Sequence, residues 1–172
     1  MYNPAEEMVQ VVDEENRVTG AVPRRVMREK CLIHRATYVL VFNSRGELFV
    51  QKRTTTKDVY PGYYDIAAGG VVLAGESYRE SAERELAEEL GVTGVGLTHH
   101  FDFYFEDKGR NRVWGSVWSC TYDGEMVLQE EEVESGFFET PQRIIEMSET
   151  EKFTPDGIAV LKRFVEKYSV AG

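Results

Sequence analysis

The sequence predicts an α/β (α+β) fold in which helices cover both sides of a mixed β-sheet. Three observations lead there. Short apolar runs bounded by turn residues recur along the first two-thirds of the chain, and capped segments of helical periodicity stand among and after them. The 172 residues, 42% of them hydrophobic, suffice for one well-buried core and not for two. A single domain over residues 1–172 is therefore expected, with residues 1–33 as an N-terminal hairpin and helix extension.

Taken in order, VQVV (9–12) and RVTGAV (17–22) flank the polar turn Asp13 to Asn16 and predict the first hairpin. Pro23 to Lys30 reads as a short helix with proline in its first turn. TYVLVF (37–42) and ELFVQKR (47–53) flank Asn43-Ser44-Arg45-Gly46 and predict a second, stronger hairpin. A polar, then aromatic link follows, with Pro61-Gly62 as its turn. Further strands are expected at 64–68, 99–105 and 112–122. Ser77 with Glu80 forms a capping-box pattern that opens a helix through Leu90, and Gly91 ends it. Its apolar positions Ala82, Leu86 and Leu90 mark a buried stripe. Thr140-Pro141 opens a shorter helix through Ile144 and Ile145. Thr154-Pro155-Asp156 opens the C-terminal helix, which docks through Ile158, Leu161, Val165 and Tyr168.

Charge and composition remove several classes of function. With 20 basic against 30 acidic residues, the net charge of −10 argues against a nucleic-acid polymer as partner, because that affinity comes mainly from cations on phosphates. No apolar run approaches the ~20 residues of a membrane span, and MYNPAEEMVQ carries acids where a secretory signal carries bases. A cytoplasmic protein with no membrane partner is expected. Cys31 and Cys120 have neither zinc-ligand nor CxxC spacing and read as ordinary thiols.

Chemistry concentrates in residues 69–92, GGVVLAGESYRESAERELAEELGV. At 100° per residue, Glu85, Glu88 and Glu89 share an arc of about 100° on the helix. The opposite face is expected to hold Ala82, Leu86 and Leu90. Two carboxylates about 5 Å apart repel by under 1 kcal/mol in water and by roughly 3 kcal/mol at an effective dielectric near 20. An exposed acidic face would therefore need no cation, whereas one lining a cleft would need protons or a divalent metal. Carboxylates with open water positions suit Mg²⁺ or Mn²⁺, which bridge to substrate phosphates.

The spacing is more specific than the charge. Gly70, Glu76, Arg84-Glu85-Leu86, Glu88-Glu89 and Gly91-Val92 match the pattern G-x5-E-x7-R-E-U-x-E-E-x-G-U, with U aliphatic, at every specified position. Chance would produce such a match on the order of 10⁻⁹ per starting position. This is the Nudix box, and with the surrounding strand pattern the resemblance to Nudix hydrolases covers most of residues 34–140. It implies a Nudix-type α/β/α sandwich and hydrolysis of a small diphosphate, nucleotide-like or related, by attack of metal-activated water on phosphorus. Mg²⁺, with Mn²⁺ as substitute, is the implied cofactor. The resemblance assigns Glu85, Glu88, Glu89 and the Gly69 carbonyl to the metals. It makes Arg84 an orienting partner of the carboxylates or else a phosphate ligand, and Glu76 a brace of the loop or else a metal ligand, with Gly70 and Gly91 shaping the loop. Glu132, in the acidic run before Phe137-Phe138, aligns with a glutamate that in many relatives reaches the metals or acts as base.

Upstream, His34-Arg35-Ala36, VFNSRGELFVQKR, Lys57 and Pro61-Gly62-Tyr63-Tyr64 resemble the isopentenyl-diphosphate isomerase branch. The isomerase cysteine, however, falls at Gly69, two of its histidines fall at Val71 and Met27, and its glutamate motif falls near Arg112-Val113-Trp114. Isomerase chemistry is not expected. A catalytically silent binding module is the other alternative, and the four box glutamates speak against it. His34 reads as a scaffold residue, and His99 and His100 receive no role. Arg24, Arg25, Arg35, Lys52, Arg53 and Lys57 are the upstream cations from which phosphate ligands would come. The aromatic residues at strand spacing are expected mostly in the core. The box leaves the diphosphate and the choice between monomer and homodimer open.

Overall fold

The computed structural model describes residues 2–168. In chain order it has β1 (Met8–Val12), β2 (Val18–Pro23), α1 (Arg24–Glu29), β3 (His34–Phe42), β4 (Leu48–Arg53), β5 (Tyr64–Asp65), α2 (Tyr78–Leu90), β6 (Thr98–Asp107), β7 (Asn111–Thr121), β8 (Val133–Glu139), α3 (Pro141–Met147) and α4 (Pro155–Tyr168). The strands form one mixed sheet. β7 runs parallel to β3, from Val113 opposite His34 to Thr121 opposite Phe42, while β6 folds back antiparallel on β7.

Alternation along β3 sorts the core into two layers. Tyr38 and Leu40 point to one side, where Ile144 of α3 and Val160 and Leu161 of α4 cover them. Val39 and Val41 point to the other, against Ala82, Leu86 and Leu90 of α2. Those three helix residues are at most 1% exposed, and burying each leucine contributes about 1.5–3 kcal/mol. The capping box forms as read: Ser77 Oγ accepts from the Glu80 amide at 3.1 Å and Glu80 Oε1 accepts from the Ser77 amide at 3.1 Å. Gly91 ends the helix with φ of 65°, a conformation that only glycine enters without strain. Of the strand aromatics, Phe101, Phe103 and Trp118 are core at 7–8% exposure, whereas Tyr104 is 39% exposed.

Two expectations need correction. The hairpin 37–42/47–53 exists only at its base, where Phe42 pairs with Leu48. Beyond it the strands part, β4 pairing with β8 and β3 with the segment after β5. That segment was expected to be a strand over 64–68, yet only Tyr64–Asp65 is strand. Instead, Val39 N–H donates to Ala68 O at 2.6 Å, Thr37 N–H to Gly70 O at 2.9 Å, and Val72 N–H to Arg35 O at 2.9 Å. Gly69, at φ of 140°, breaks the regular pleat between them. The loop that opens the box is thereby stitched to the central strand by its backbone.

Candidate active site

The acidic arc of α2 borders the apolar stripe; it does not lie opposite to it. Leu86 follows Glu85 by about 100° around the helix, so the side of the arc nearest the core is drawn inward. Glu85 and Glu89 are 9% and 5% exposed, while the side chain of Glu88 is 50% exposed. The bland reading of a solvated acidic face therefore fails for two of the three carboxylates.

Arg84 organises this cluster. Its guanidinium donates to both oxygens of Glu76, at 2.6 and 3.0 Å, to Glu85 Oε1 at 2.9 Å and to Glu88 Oε2 at 3.2 Å. Glu76 in turn accepts the Leu73 amide at 2.8 Å, which ties the loop to the helix. A planar fork of donors suits this task better than an ammonium could. Glu89 lies deeper. Its Oε2 accepts from the Gly69 amide at 3.2 Å and from Gln51 Nε2 at 3.5 Å. Burial pushes its carboxyl well above the ordinary range and Glu85 adds to this, while Lys57 and the Gly69 amide pull it back. Burial raises Glu85 as well, with Arg84 opposing.

The two glycines are required by space. A Cβ on Gly69 would run into the Thr37 carbonyl oxygen, and one on Gly70 would lie 2.9 Å from Glu85 Oε1. Among the described residues the Gly69 carbonyl accepts no hydrogen bond, while its amide bonds Glu89. No three His, Cys, Asp or Glu side chains of the described residues are drawn together in ligand geometry. Arg84 engages Glu85 and Glu88, and the Gly69 amide engages Glu89. The donor set, hard oxygens beside a broad opening, is nonetheless the kind that divalent cations with retained waters require.

Glu85, Glu88, Glu89 and Arg84 open into a groove of about 860 Å³, together with Glu131 and Glu132. Glu132 is ion-paired to Lys57 across the groove. The sequence-predicted site residues Arg84, Glu85, Glu88, Glu89, Glu132, Gly69 and Gly70 thus share one space, with Glu76 bracing it and Gly91 at the far end of α2. Arg24, Arg25 and Lys57 of the candidate cations line it, and Arg28, which the sequence did not single out, lies beside them. Arg24 pairs with Glu7 at 2.9 Å and Arg28 with Asp58 at 3.0 Å. Gln51, the support for Glu89, also escaped the sequence reading, since a strand glutamine carries no distinctive spacing.

His34 is 3% exposed, bonded through Nδ1 to Leu32 O at 3.2 Å, and burial with nearby Arg28 pushes it down to about 3. It stays neutral. A register irregularity between His99 and Phe101 interrupts the expected alternation. His99 meets Asp102 at 2.8 Å and His100 meets Ser119 at 2.6 Å, and neither lines the groove. Cys31 and Cys120 are free thiols. No helix of the described residues is long and apolar enough to cross a membrane.

Comparison with known proteins agrees with this architecture. The NUDIX domain model matches residues 32–164. An uncharacterized Nudix hydrolase of Pseudomonas aeruginosa, PA4841, is 44% identical over 160 residues, covering 93% of this chain and 94% of that protein. The uncharacterized Nudix hydrolase YfcD of Escherichia coli K12 is 46% identical over 161 residues, covering 94% and 88%. The crystal structure of DR0079 from Deinococcus radiodurans superposes with a TM-score of 0.79 at 22% identity, over 91% of this chain and 98% of that one, and shows the same fold. A family match across most of the chain, with two relatives well above 40% identity along nearly their whole length, means that the protein belongs to the Nudix hydrolases.

Proposed function

We propose that the protein is a Mg²⁺-dependent hydrolase of a small diphosphate, nucleotide-like or related, in which Glu85, Glu88, Glu89 and the Gly69 carbonyl hold the metals and Mn²⁺ can substitute. The observation that carries this reading is the pair of buried carboxylates, Glu85 and Glu89, in the wall of a groove that Arg24, Arg28 and Lys57 also line. Two anions desolvated side by side are costly unless a cation or a proton joins them. Divalent cations bound there would shield the diphosphate and acidify the attacking water. The chain's own residues do the remainder. Arg84, locked on Glu76, holds Glu85 and Glu88 in orientation. Arg24, Arg28 and Lys57, which line the groove, would neutralise phosphate oxygens. Once a phosphate draws Lys57 away, Glu132 is free to accept the proton of the attacking water.

We further read the chain as kin to the isopentenyl-diphosphate isomerase branch that has kept hydrolytic chemistry. Support comes from Gly69, where the isomerase cysteine would stand: its φ of 140° and the Thr37 carbonyl leave no room for a Cβ. Residues 1–33 act in this reading as an extension of one domain that brings Arg24 and Arg28 to the groove. The test is a screen of diphosphate metabolites with Mg²⁺ and Mn²⁺, run beside Glu89→Gln. Metal-dependent release of phosphate or a monophosphate, lost in the variant, is expected. No turnover across a broad panel would leave a silent binding module.

A further inference from the structure

The groove is larger than its chemistry needs. A diphosphate of about nine heavy atoms, at no more than about 30 Å³ each, fills under about 270 Å³. The groove has about 860 Å³, so most of it is left for the group that the diphosphate carries.

Part of its wall comes from ahead of β1. Tyr2, Pro4 and Ala5 line the groove, and all three lie outside the residues 32–164 that match the NUDIX model. The segment is pinned in place. Asn3 Oδ1 accepts the Ala5 amide at 3.1 Å and caps a turn of 3-10 helix over Pro4–Glu6. The Glu7 carbonyl accepts the Arg24 amide at 2.8 Å, its carboxylate pairs with the Arg24 guanidinium at 2.9 Å, and Glu6 pairs with Arg25 at 2.7 Å. Tyr2 itself stays 72% exposed. Partial desolvation of its hydroxyl, with Glu7 close by, pushes the phenol up to about 12, and Arg24 and Glu88 lie within electrostatic reach of it. An exposed aromatic ring thus stands near a candidate metal carboxylate and a candidate phosphate cation.

The make-up of the walls decides which carried group fits. Beyond Tyr2, Pro4, Ala5 and Val71, the groove is lined by charged or polar side chains and two glycines. An alkyl chain gains only by leaving water for apolar walls, and here it would meet charges along most of its length. A planar heterocycle needs one aromatic face, while its edge nitrogens and oxygens bond to water or to the polar walls. The ring of Tyr2 supplies such a face.

We propose that Tyr2 is a specificity-determining residue, stacking on a planar heterocycle, a nucleobase or its equivalent, that the diphosphate carries. The inference rests on the hydrolase reading above, and it makes the substrate a heterocycle-bearing diphosphate in preference to an alkyl or prenyl one.

The test compares adenosine diphosphate with ribose 5-diphosphate, which keeps the sugar and the phosphates and lacks the base, using the full chain and Mg²⁺. Adenine serves as the probe because stacking accepts the π face of every base. Such stacking strengthens binding by about 5- to 150-fold per base, so the wild type is expected to favour adenosine diphosphate at least about tenfold in kcat/KM. Tyr2→Ala is expected to bring that ratio within about threefold, chiefly through a higher KM for adenosine diphosphate, and Tyr2→Trp to keep it. A side chain this exposed can be replaced without loss of the fold. Calorimetric titration with the methylene-bridged analogues of both compounds should give the same two ratios in Kd. A wild-type ratio near one, or a tenfold ratio that Tyr2→Ala leaves unchanged, would overturn the role of Tyr2 and leave the hydrolase reading standing. Absence of phosphate release from every diphosphate in the panel would overturn that reading itself, with the Kd ratios still deciding whether Tyr2 stacks on the base.

Discussion

Gly70→Ala is expected to cost the protein far more activity than stability. Gly70 is absent from the residues with positive φ, so its backbone accepts an alanine. The added Cβ would lie 2.9 Å from Glu85 Oε1 and 3.0 Å from its Cδ. Ordinary contacts are about 3.5–4.0 Å, so the carboxylate must withdraw by roughly 0.5–1 Å. It can do so, because it is the far end of a long side chain, although Arg84 tethers it at 2.9 Å. The lost tether and the reduced entropy of the unfolded chain oppose one another, and the net change in stability is expected to stay within about 1 kcal/mol. Catalysis has no such slack. A misplacement of about 1 Å in a reacting constellation costs on the order of 100-fold, or about 2.7 kcal/mol of barrier. The assay pairs kcat/KM for Mg²⁺-dependent diphosphate hydrolysis with the denaturant midpoint. Activity within about threefold of wild type at an unchanged midpoint would refute the placement of Glu85 in the reaction. Gly69→Ala is the control in the other direction: its Cβ meets the fixed Thr37 backbone, so loss of fold is expected.

Glu89→Gln removes a buried charge that the fold tolerates poorly, so in metal-free buffer at about pH 8 it should raise the melting temperature while lowering kcat by at least about 100-fold. A variant with full turnover would remove α2 from the chemistry. Because Glu85 and Glu89 are raised above the ordinary 4.5, the folded metal-free protein holds protons that the unfolded chain releases. Their contribution to stability therefore falls as pH rises from that value through the folded pKa. Metal competes for the ionised form, so the Mg²⁺-induced rise in melting temperature should grow between about pH 5 and about pH 8; a shift independent of pH would contradict the carboxylate site. For Glu132→Gln, a loss of about 100-fold in kcat is expected with little change in KM, whereas a loss of only a few-fold would return this residue to an ordinary partner of Lys57. Arg84→Lys gives up the fork shared by Glu76, Glu85 and Glu88, and should lose about 1–2 kcal/mol of stability with at least about tenfold in activity. Stability and rate both unchanged would show that the fork is dispensable.

Much of the fold and the heart of the site were legible in the sequence because they rest on local rules. The helix over Tyr78–Leu90 follows from Ser77, Glu80 and Gly91, which act within a turn of its ends. The two layers of core follow from period-two alternation in β3 and from the stripe Ala82, Leu86, Leu90. Spacing alone brought Gly70, Glu76, Arg84 and the three glutamates onto one loop and helix. What lay beyond it was set by partners remote in the chain. The parallel pairing of β3 with β7 joins residues nearly eighty positions apart, and it leaves the expected β3–β4 hairpin open beyond its base. Lys57 meets Glu132 across 75 positions, and Tyr38 meets Asp156 across 118. Asp156 itself read as a residue of a helix start, with nothing in its neighbours to suggest that partner.

By itself, then, the sequence determined a capped acidic helix, a glycine-opened loop and the family that this spacing identifies. Only the tertiary structure decided that two of the three carboxylates are buried, that Arg24, Arg28 and Lys57 share their groove, and that Tyr2 lines it too. The reason is physical. Caps, turns and periodicity act over a few residues, whereas burial and electrostatic environment are properties of the packed assembly, and no residue carries them alone.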